Sequence, residues 1–234
     1  MDNTPKVKLD KFIGHSGYTS RQKAFDLIEG KRISVNGKVA THSTKVDGTE
    51  EILVDGRSIY SENKFIYIAY NKPRGIECTT EKVENNIIDA VNHPKKLLPV
   101  GRLDKNSEGL ILLTNDKAII NKITNSANNN EKEYIVTLNH PATEEFLKAV
   151  KKGGLEIGEK FTKPCKIVLE PQSQRVVRIT LTQGLNRQIR RMCALFDYQV
   201  IKLQRVRVKN IHLSNLKLGE WRNLNEKEVI GLNN

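Results

Sequence analysis

Apolar and polar positions recur along this chain with changing periods, and each change of period marks an element. Between Ser20 and Gly30 the apolar residues Ala24, Phe25, Leu27 and Ile28 fall at helical spacing. Ser20 can cap the first turn of that helix through its hydroxyl, and Gly30 can end it. "ISVNGKVA" follows, two short alternating runs around Asn36-Gly37, a pair that accepts the positive φ angles of a tight hairpin turn. After the short polar joint "SENK" (61–64), "FIYIAY" opens a new strand, predicted over 65–70. Further strands are predicted at 110–114, 133–138, 176–181 and 200–203, and helices at 87–91, 117–123, 143–150 and 187–196. Several of the strands alternate as strands of a one-faced antiparallel sheet do, while the helices are few and scattered. The pattern predicts an α+β chain of two domains: a small one over 1–61, and a larger one over 62–234 built on a mixed, mainly antiparallel sheet.

Two segments carry more than periodicity. In "PVGRLDKNSEGLILLTND" (99–116) a tight polar turn holds Arg102, Asp104, Lys105 and Glu108 between Gly101 and Gly109, directly before the apolar run 110–114. The second, "GLNRQIRRMCALF" (184–196), is a glycine turn leading into a helix. Ile189, Met192, Cys193 and Phe196 stand at i, i+3, i+4 and i+7 and form a stripe that must face the core. Arg187 and Arg191 fall on the opposite side, placed for phosphate, and Arg190 sits at the boundary, within reach of a partly buried carboxylate. An aspartate alone in a turn is by default a cap or turn former, and a tyrosine alone is by default a strand residue.

Composition narrows the setting. The chain has 234 residues, 38% of them apolar and 28% charged, the balance of a globular protein. No apolar stretch approaches the ~20 residues of a membrane span, and "MDNTPKVKLDKF" has no apolar h-region. The three cysteines are far apart, the five histidines lack ligand-like spacing, and no CxxC is present, so neither a disulfide framework nor a metal site is expected. A reducing cytoplasm is the simplest setting. Charge says more, because 39 Lys+Arg against 27 Asp+Glu give a net +12. The excess is clustered: residues 160–210 hold 12 basic residues against two acidic ones, and residues 11–38 hold six against two. Two separated basic clusters point to nucleic acid.

The N-terminal stretches "KLDKFI", "GYTSRQKAFDLIEGKRISVNGK" and "VDG" resemble the small S-four RNA-binding domain, with Lys8 where that pattern usually has Arg. Arg21 and Lys23 in the first helical turn, with Lys31 and Arg32 past its end, are its candidate RNA contacts. Downstream, "NKPRG" (71–75), "GRLD" (101–104), "KEY" (132–134) and "GLNRQIRRM" (184–192) resemble, in order, the four motifs of the RsuA-type branch of the pseudouridine synthases. Within that branch "EKEYIVTL", "QGLNRQIRRMC" and "LGEWR" are most similar to members acting on large-subunit ribosomal RNA. The resemblance implies that Asp104 is the catalytic aspartate, that Tyr134 lies against the target base, and that Arg190 pairs with Asp104. Lys72, Arg102, Arg187 and Arg191 are the candidate RNA contacts of this second part.

The implied reaction cleaves the N1–C1′ bond of a flipped-out uridine, turns the uracil and rejoins it through C5. An ionised carboxylate can attack C1′, take a proton from the sugar to give a glycal, or add at C6, and no cofactor or metal is called for. The implied substrate is ribosomal RNA or a ribosomal precursor, with transfer RNA as a further class, and the expected enzyme is a cytoplasmic monomer. Two other readings compete. A non-catalytic RNA-binding ribosome-assembly factor would use the basic clusters but not the "GRLD" aspartate. A nucleoside or glycoside hydrolase would need a second carboxylate, for which Glu108 and Glu133 are the candidates.

Overall fold

The computed structural model describes residues 6–16, 18–59 and 65–233; the joint at 61–64, with the predicted domain boundary, lies outside the described residues. The chain forms two compact units, one from residues 1–66 with Asn115–Ala118, the other from Tyr67–Thr114 with Ile119–Asn234.

The first unit holds β1 (Val7–Lys8), α1 (Leu9–His15), α2 (Arg21–Glu29), β2 (Ile33–Val35), β3 (Lys38–Val39), β4 (Lys45–Val46), β5 (Ile52–Val54) and β6 (Arg57–Ser58). Strands β3-β2-β5-β6 form a small antiparallel sheet, and β1 pairs with β4. Helix α2 begins where its cap predicts: Ser20 Oγ accepts the Lys23 amide at 3.2 Å, and the Gly30 amide donates to the Asp26 carbonyl at the other end. Asn36 and Gly37 take φ of 48° and 78°, the turn their types allow. Leu9, Ile13, Ala24, Ile28, Ile33 and Ile52 close the core. Helix α1 carries no periodic signal because seven residues make only two turns.

The second unit holds β7 (Tyr67–Lys72), α3 (Ile87–Val91), β8 (Leu98–Pro99), β9 (Glu108–Thr114), α4 (Lys117–Thr124), whose first two residues cluster with the first unit, and β10 (Lys132–Leu138). There follow α5 (Glu144–Lys152), β11 (Lys166–Glu170), β12 (Ser173–Leu181), α6 (Gln188–Ala194), β13 (Val200–Val208), β14 (Ile211–His212), β15 (Trp221–Asn223) and α7 (Glu226–Asn233). One sheet runs β11-β12-β10-β13-β9-β7-β15, with β14 and β8 added beside β13 and β9. Its pairs are antiparallel except β13 with β9, so the predicted mixed, mainly antiparallel α+β sheet is what forms.

β9 lies inside the sheet and is buried over its whole length, which is why its sequence is a solid apolar run and not an alternating one. The same strand approaches β13 through Gly109, opposite Arg205 at φ +104°; a Cβ there would stand 2.3 Å from the Arg205 carbonyl oxygen. Glycine is the residue that lets these two backbones meet. Two core clusters form in this unit. One joins Val136, Leu138, Phe146, Val177, Ile179, Met192 and Cys193, and the other joins Leu110, Leu112, Ile119, Ile123, Val208 and Ile211. The stripe of α6 therefore faces the core as its spacing predicts, with Ile189, Met192 and Cys193 buried and Phe196 packed at the edge.

Candidate active site

A cavity of about 640 Å³ opens in the second unit where the turn before β9, the start of β10 and the 182–190 segment meet. Three of the four sequence motifs supply its wall: Arg102 and Asp104, Lys132 and Tyr134, and Arg187 with Arg190. Asp104 is the one carboxylate lining it among the described residues.

The loop that carries Asp104 is held through its backbone. Arg205, buried on β13, donates to the carbonyls of Leu110 (2.7 Å) and Arg102 (3.4 Å), on either side of the aspartate. Arg190 donates to Asn106 O at 3.1 Å and to Val200 O at 3.0 Å. Lys72 reaches Lys105 O at 3.5 Å, the Gly75 amide donates to the same carbonyl at 2.8 Å, and the Leu103 amide donates to Cys78 Sγ at 3.3 Å. The Ser107 amide closes the turn on Asp104 O at 2.9 Å. Three cationic side chains from three strands or helices thus fix the carbonyls around Asp104, while its carboxylate faces the cavity. Hydrogen bonds from charged donors are the stronger kind, so the loop is rigidly placed.

Two expectations need correcting. The expected pair of Asp104 with Arg190 is not formed, because Arg190 has turned its donors onto the Asn106 and Val200 carbonyls. The arginine nearest the carboxylate is Arg187, whose Nη1 lies 3.9 Å from Asp104 Oδ2. Burial lowers the affinity of Arg190 for its proton, and Arg187 adds to that, while the Asp104 charge opposes both. Lys72, expected at the RNA, is 0% exposed and donates to Pro73 O (2.8 Å) and Ile76 O (2.9 Å) besides Lys105 O. Burial pushes its pKa down. Its ammonium braces the "NKPRG" turn against the Asp104 loop and presents nothing to a ligand.

Arg102 and Arg187 are exposed at the cavity rim. Arg191 is exposed but lies off the cavity wall, hydrogen-bonded to Asn186 Oδ1 at 3.3 Å. In the first unit Arg21, Lys23, Lys31 and Arg32 are all exposed; Arg21 is paired with Asp10 at 2.6 Å, and Arg32 takes both carboxylate oxygens of Asp55. Neither carboxylate needed by a hydrolase is in place. Glu108 is bound by Lys202 at 2.9 Å and Arg74 at 3.7 Å, and Glu133 by Arg178 at 2.6 Å and Arg207 at 3.3 Å; both lie off the cavity wall.

Tyr134 reaches the cavity through strand alternation. Val136 and Leu138 bury one face of β10 in the core, and Tyr134 and Lys132 continue that face into the cavity. The sequence motifs assign no role to Lys132 or Arg205. For Lys132 the signal was available, since "KEY" puts it on the same strand face as Tyr134. For Arg205 it was not. Opposite β10, β13 has a bulge at Val206, so Arg205 faces Tyr134 while Arg207, two residues on, faces Glu133.

Residues 66–195 match the RNA pseudouridylate synthase family, and residues 7–52 match the S4 domain. Over 229 residues the chain is 47% identical to the dual-specificity RNA pseudouridine synthase RluF of Escherichia coli K12, covering 97% of this chain and 78% of that one. It is 34% identical to the ribosomal large subunit pseudouridine synthase B of Bacillus subtilis, covering 95% and 93%. A crystal structure of a pseudouridylate synthase matches with a TM-score of 0.70 at 30% identity, covering 97% of this chain and 99% of that one. With the four motifs, the sheet and both domain matches in agreement, the chain belongs to the RsuA-type pseudouridine synthases that carry an S4 domain, isomerases acting on RNA.

Proposed function

We propose that this enzyme converts a uridine of large-subunit ribosomal RNA to pseudouridine, with Asp104 attacking C1′ or taking the C2′ proton. The observation that carries the role is placement: one carboxylate faces a cavity lined by cations, on a loop pinned from three directions. Tyr134 supplies a ring for the detached uracil to lie against, and its hydroxyl is a candidate for proton transfer at C5. Arg190 is a positioning residue acting through the Asn106 carbonyl. Arg102 and Arg187, at the rim, suit the phosphates beside a flipped nucleotide.

The large-subunit assignment rests on the relatives, one named for that subunit and one named as having dual specificity. The second name supports a further RNA class, with transfer RNA as the candidate. Residues 1–61 add affinity and positioning, and 62–234 carry the chemistry. A cytoplasmic monomer acting on ribosomal RNA or its precursor completes the reading. The test is incubation of the purified chain with transcribed large-subunit RNA, followed by carbodiimide mapping of pseudouridine. A single new stop at one uridine is expected from the wild type and none from Asp104→Asn, whose RNA affinity stays within a few-fold. Product from a verified Asp104→Asn protein would remove the aspartate from the chemistry.

A further inference from the structure

The cations around the cavity sort by depth and by what their donors already hold. Arg102, Lys160, Lys163 and Arg187 are exposed at the rim. Arg190 and Arg205 lie deeper, with donors on loop and strand carbonyls and one buried nitrogen each, Arg190 Nε and Arg205 Nη2, without a hydrogen-bond partner. Lys132 differs in being a compact ammonium on the strand face that carries Tyr134. It is partly buried, lines the cavity beside Tyr134, and makes one hydrogen bond there, from Nζ to Asn130 O at 3.2 Å. An ammonium has three donors, so two remain. Among the described residues no carboxylate pairs with it. Glu131 and Glu133 flank it in sequence but are bound to Lys166, Arg178 and Arg207. A half-buried cation without a counter-charge is costly to keep in a folded chain, and an anion arriving from outside would relieve that cost.

We propose that Lys132 is a further catalytic residue, whose ammonium hydrogen-bonds a carbonyl oxygen of the target uracil and stabilises the base as it departs. The proposal rests on the pseudouridine synthase reading of this cavity. Whether Asp104 bonds to C1′ or takes the C2′ proton, the electron pair of the breaking N1–C1′ bond leaves with the base. The uracil becomes an anion, its charge shared among N1, O2 and O4. A preorganised donor in a site screened from water acts most strongly on charge that develops in the transition state. Rejoining through C5 spends that pair on the new C5–C1′ bond and restores Asp104, either displaced from C1′ as carboxylate or by returning its proton to C2′. The C5 proton then passes to a base, Asp104 or water, and N1 takes one up, so Lys132 needs to give up no proton.

The surroundings make this cation titratable near working pH. Burial, with the Arg205 charge on the facing strand, lowers the Lys132 pKa to about 8. Around it stand Asp104 on its loop, Arg205 on β13, and Lys160, Lys163, Arg187 and Arg190 across the cavity.

The test compares wild type, Lys132→Met and Lys132→Arg as full chains, by single-turnover rate on transcribed large-subunit RNA from about pH 6 to 10 and by RNA affinity. Lys132→Met is expected to lose on the order of 100-fold in rate, the size seen when one such donor is removed, with RNA affinity within about 3-fold. The wild-type rate should fall as pH rises past about 8. Lys132→Arg should regain most of the rate and lose that alkaline fall, because a guanidinium stays charged. Wild-type rate in Lys132→Met, a rate loss matched by an equal loss of RNA affinity, or an unchanged alkaline fall in Lys132→Arg would each overturn the assignment. Wild-type product formation, measured in the same series, reports on the underlying reading separately from the comparison among variants.

Discussion

Gly109→Ala tests whether the active site depends on the close approach of β9 to β13. Gly109 has φ +104°, and a Cβ built there lies 2.3 Å from Arg205 O and 2.7 Å from Arg205 N. Two costs add. An L-residue at positive φ loses roughly 1–2 kcal/mol, and forcing atoms into a packed interior costs typically about 1–3 kcal/mol more. The neighbouring atoms are strand backbone and not the end of a flexible side chain, so the upper part of that range applies and the sum is roughly 3–5 kcal/mol. Gly154→Ala is the control, since Gly154 has φ +75° with nothing within 4 Å of the added atom. It should show the positive-φ cost alone. At about 2–4 °C per kcal/mol for a unit of this size, calorimetry should report a loss of roughly 6–20 °C for Gly109→Ala and about 2–8 °C for Gly154→Ala. Activity should fall with the first and survive the second, because Arg205 holds the carbonyls on both sides of Asp104. Equal melting shifts for the two variants would refute the claim that the backbone approach matters.

Further predictions concern the cations. Arg187→Ala breaks an exposed 3.9 Å pair and should cost only a few-fold in single-turnover rate, since such pairs are worth about 0–1 kcal/mol. Arg190→Ala leaves the part-buried Val200 carbonyl without this donor, at roughly 1–3 kcal/mol, releases the exposed Asn106 carbonyl and with it the Asp104 loop, and should cost on the order of 100-fold; the reverse order of effects would return the direct pairing role to Arg190. Lys72→Met should lower the melting temperature, because three carbonyls lose their donor at a cost of about 2 kcal/mol, and should leave the salt dependence of RNA binding unchanged. A flattening of that slope by about 0.7–0.9 would restore Lys72 as a phosphate ligand. Changing Arg21, Lys23, Lys31 and Arg32 together to Ala should flatten the slope by roughly 0.7–0.9 for each phosphate no longer neutralised, with the saturated single-turnover rate retained; an unchanged slope would leave the S4 domain without the role proposed for it.

The chain's local chemistry determined its elements and its candidate residues. Ser20 and Gly30 bound α2 through groups that act within one turn, Asn36-Gly37 makes its hairpin, and the α6 stripe of Ile189, Met192 and Cys193 is buried as its spacing requires. The motifs around Asp104, Tyr134 and Arg190 were equally legible, and all three residues line one cavity. What those side chains touch was decided by the tertiary structure. Lys72 and Arg190 look like ligand-binding cations in sequence, yet Lys72 is buried on the carbonyls of Pro73 and Ile76 with Lys105 O, 33 residues away, brought beside them, and Arg190 is captured by Asn106 O, 84 residues away. Arg205 and Arg207 share one strand and one spacing, and a single extra residue at Val206, visible only when β10 lies alongside, sends them to opposite faces. Periodicity records which side of an element is apolar, because burial acts on each residue separately. The partner of a charged group depends on which distant backbone arrives beside it, and only the folded sheet settles that.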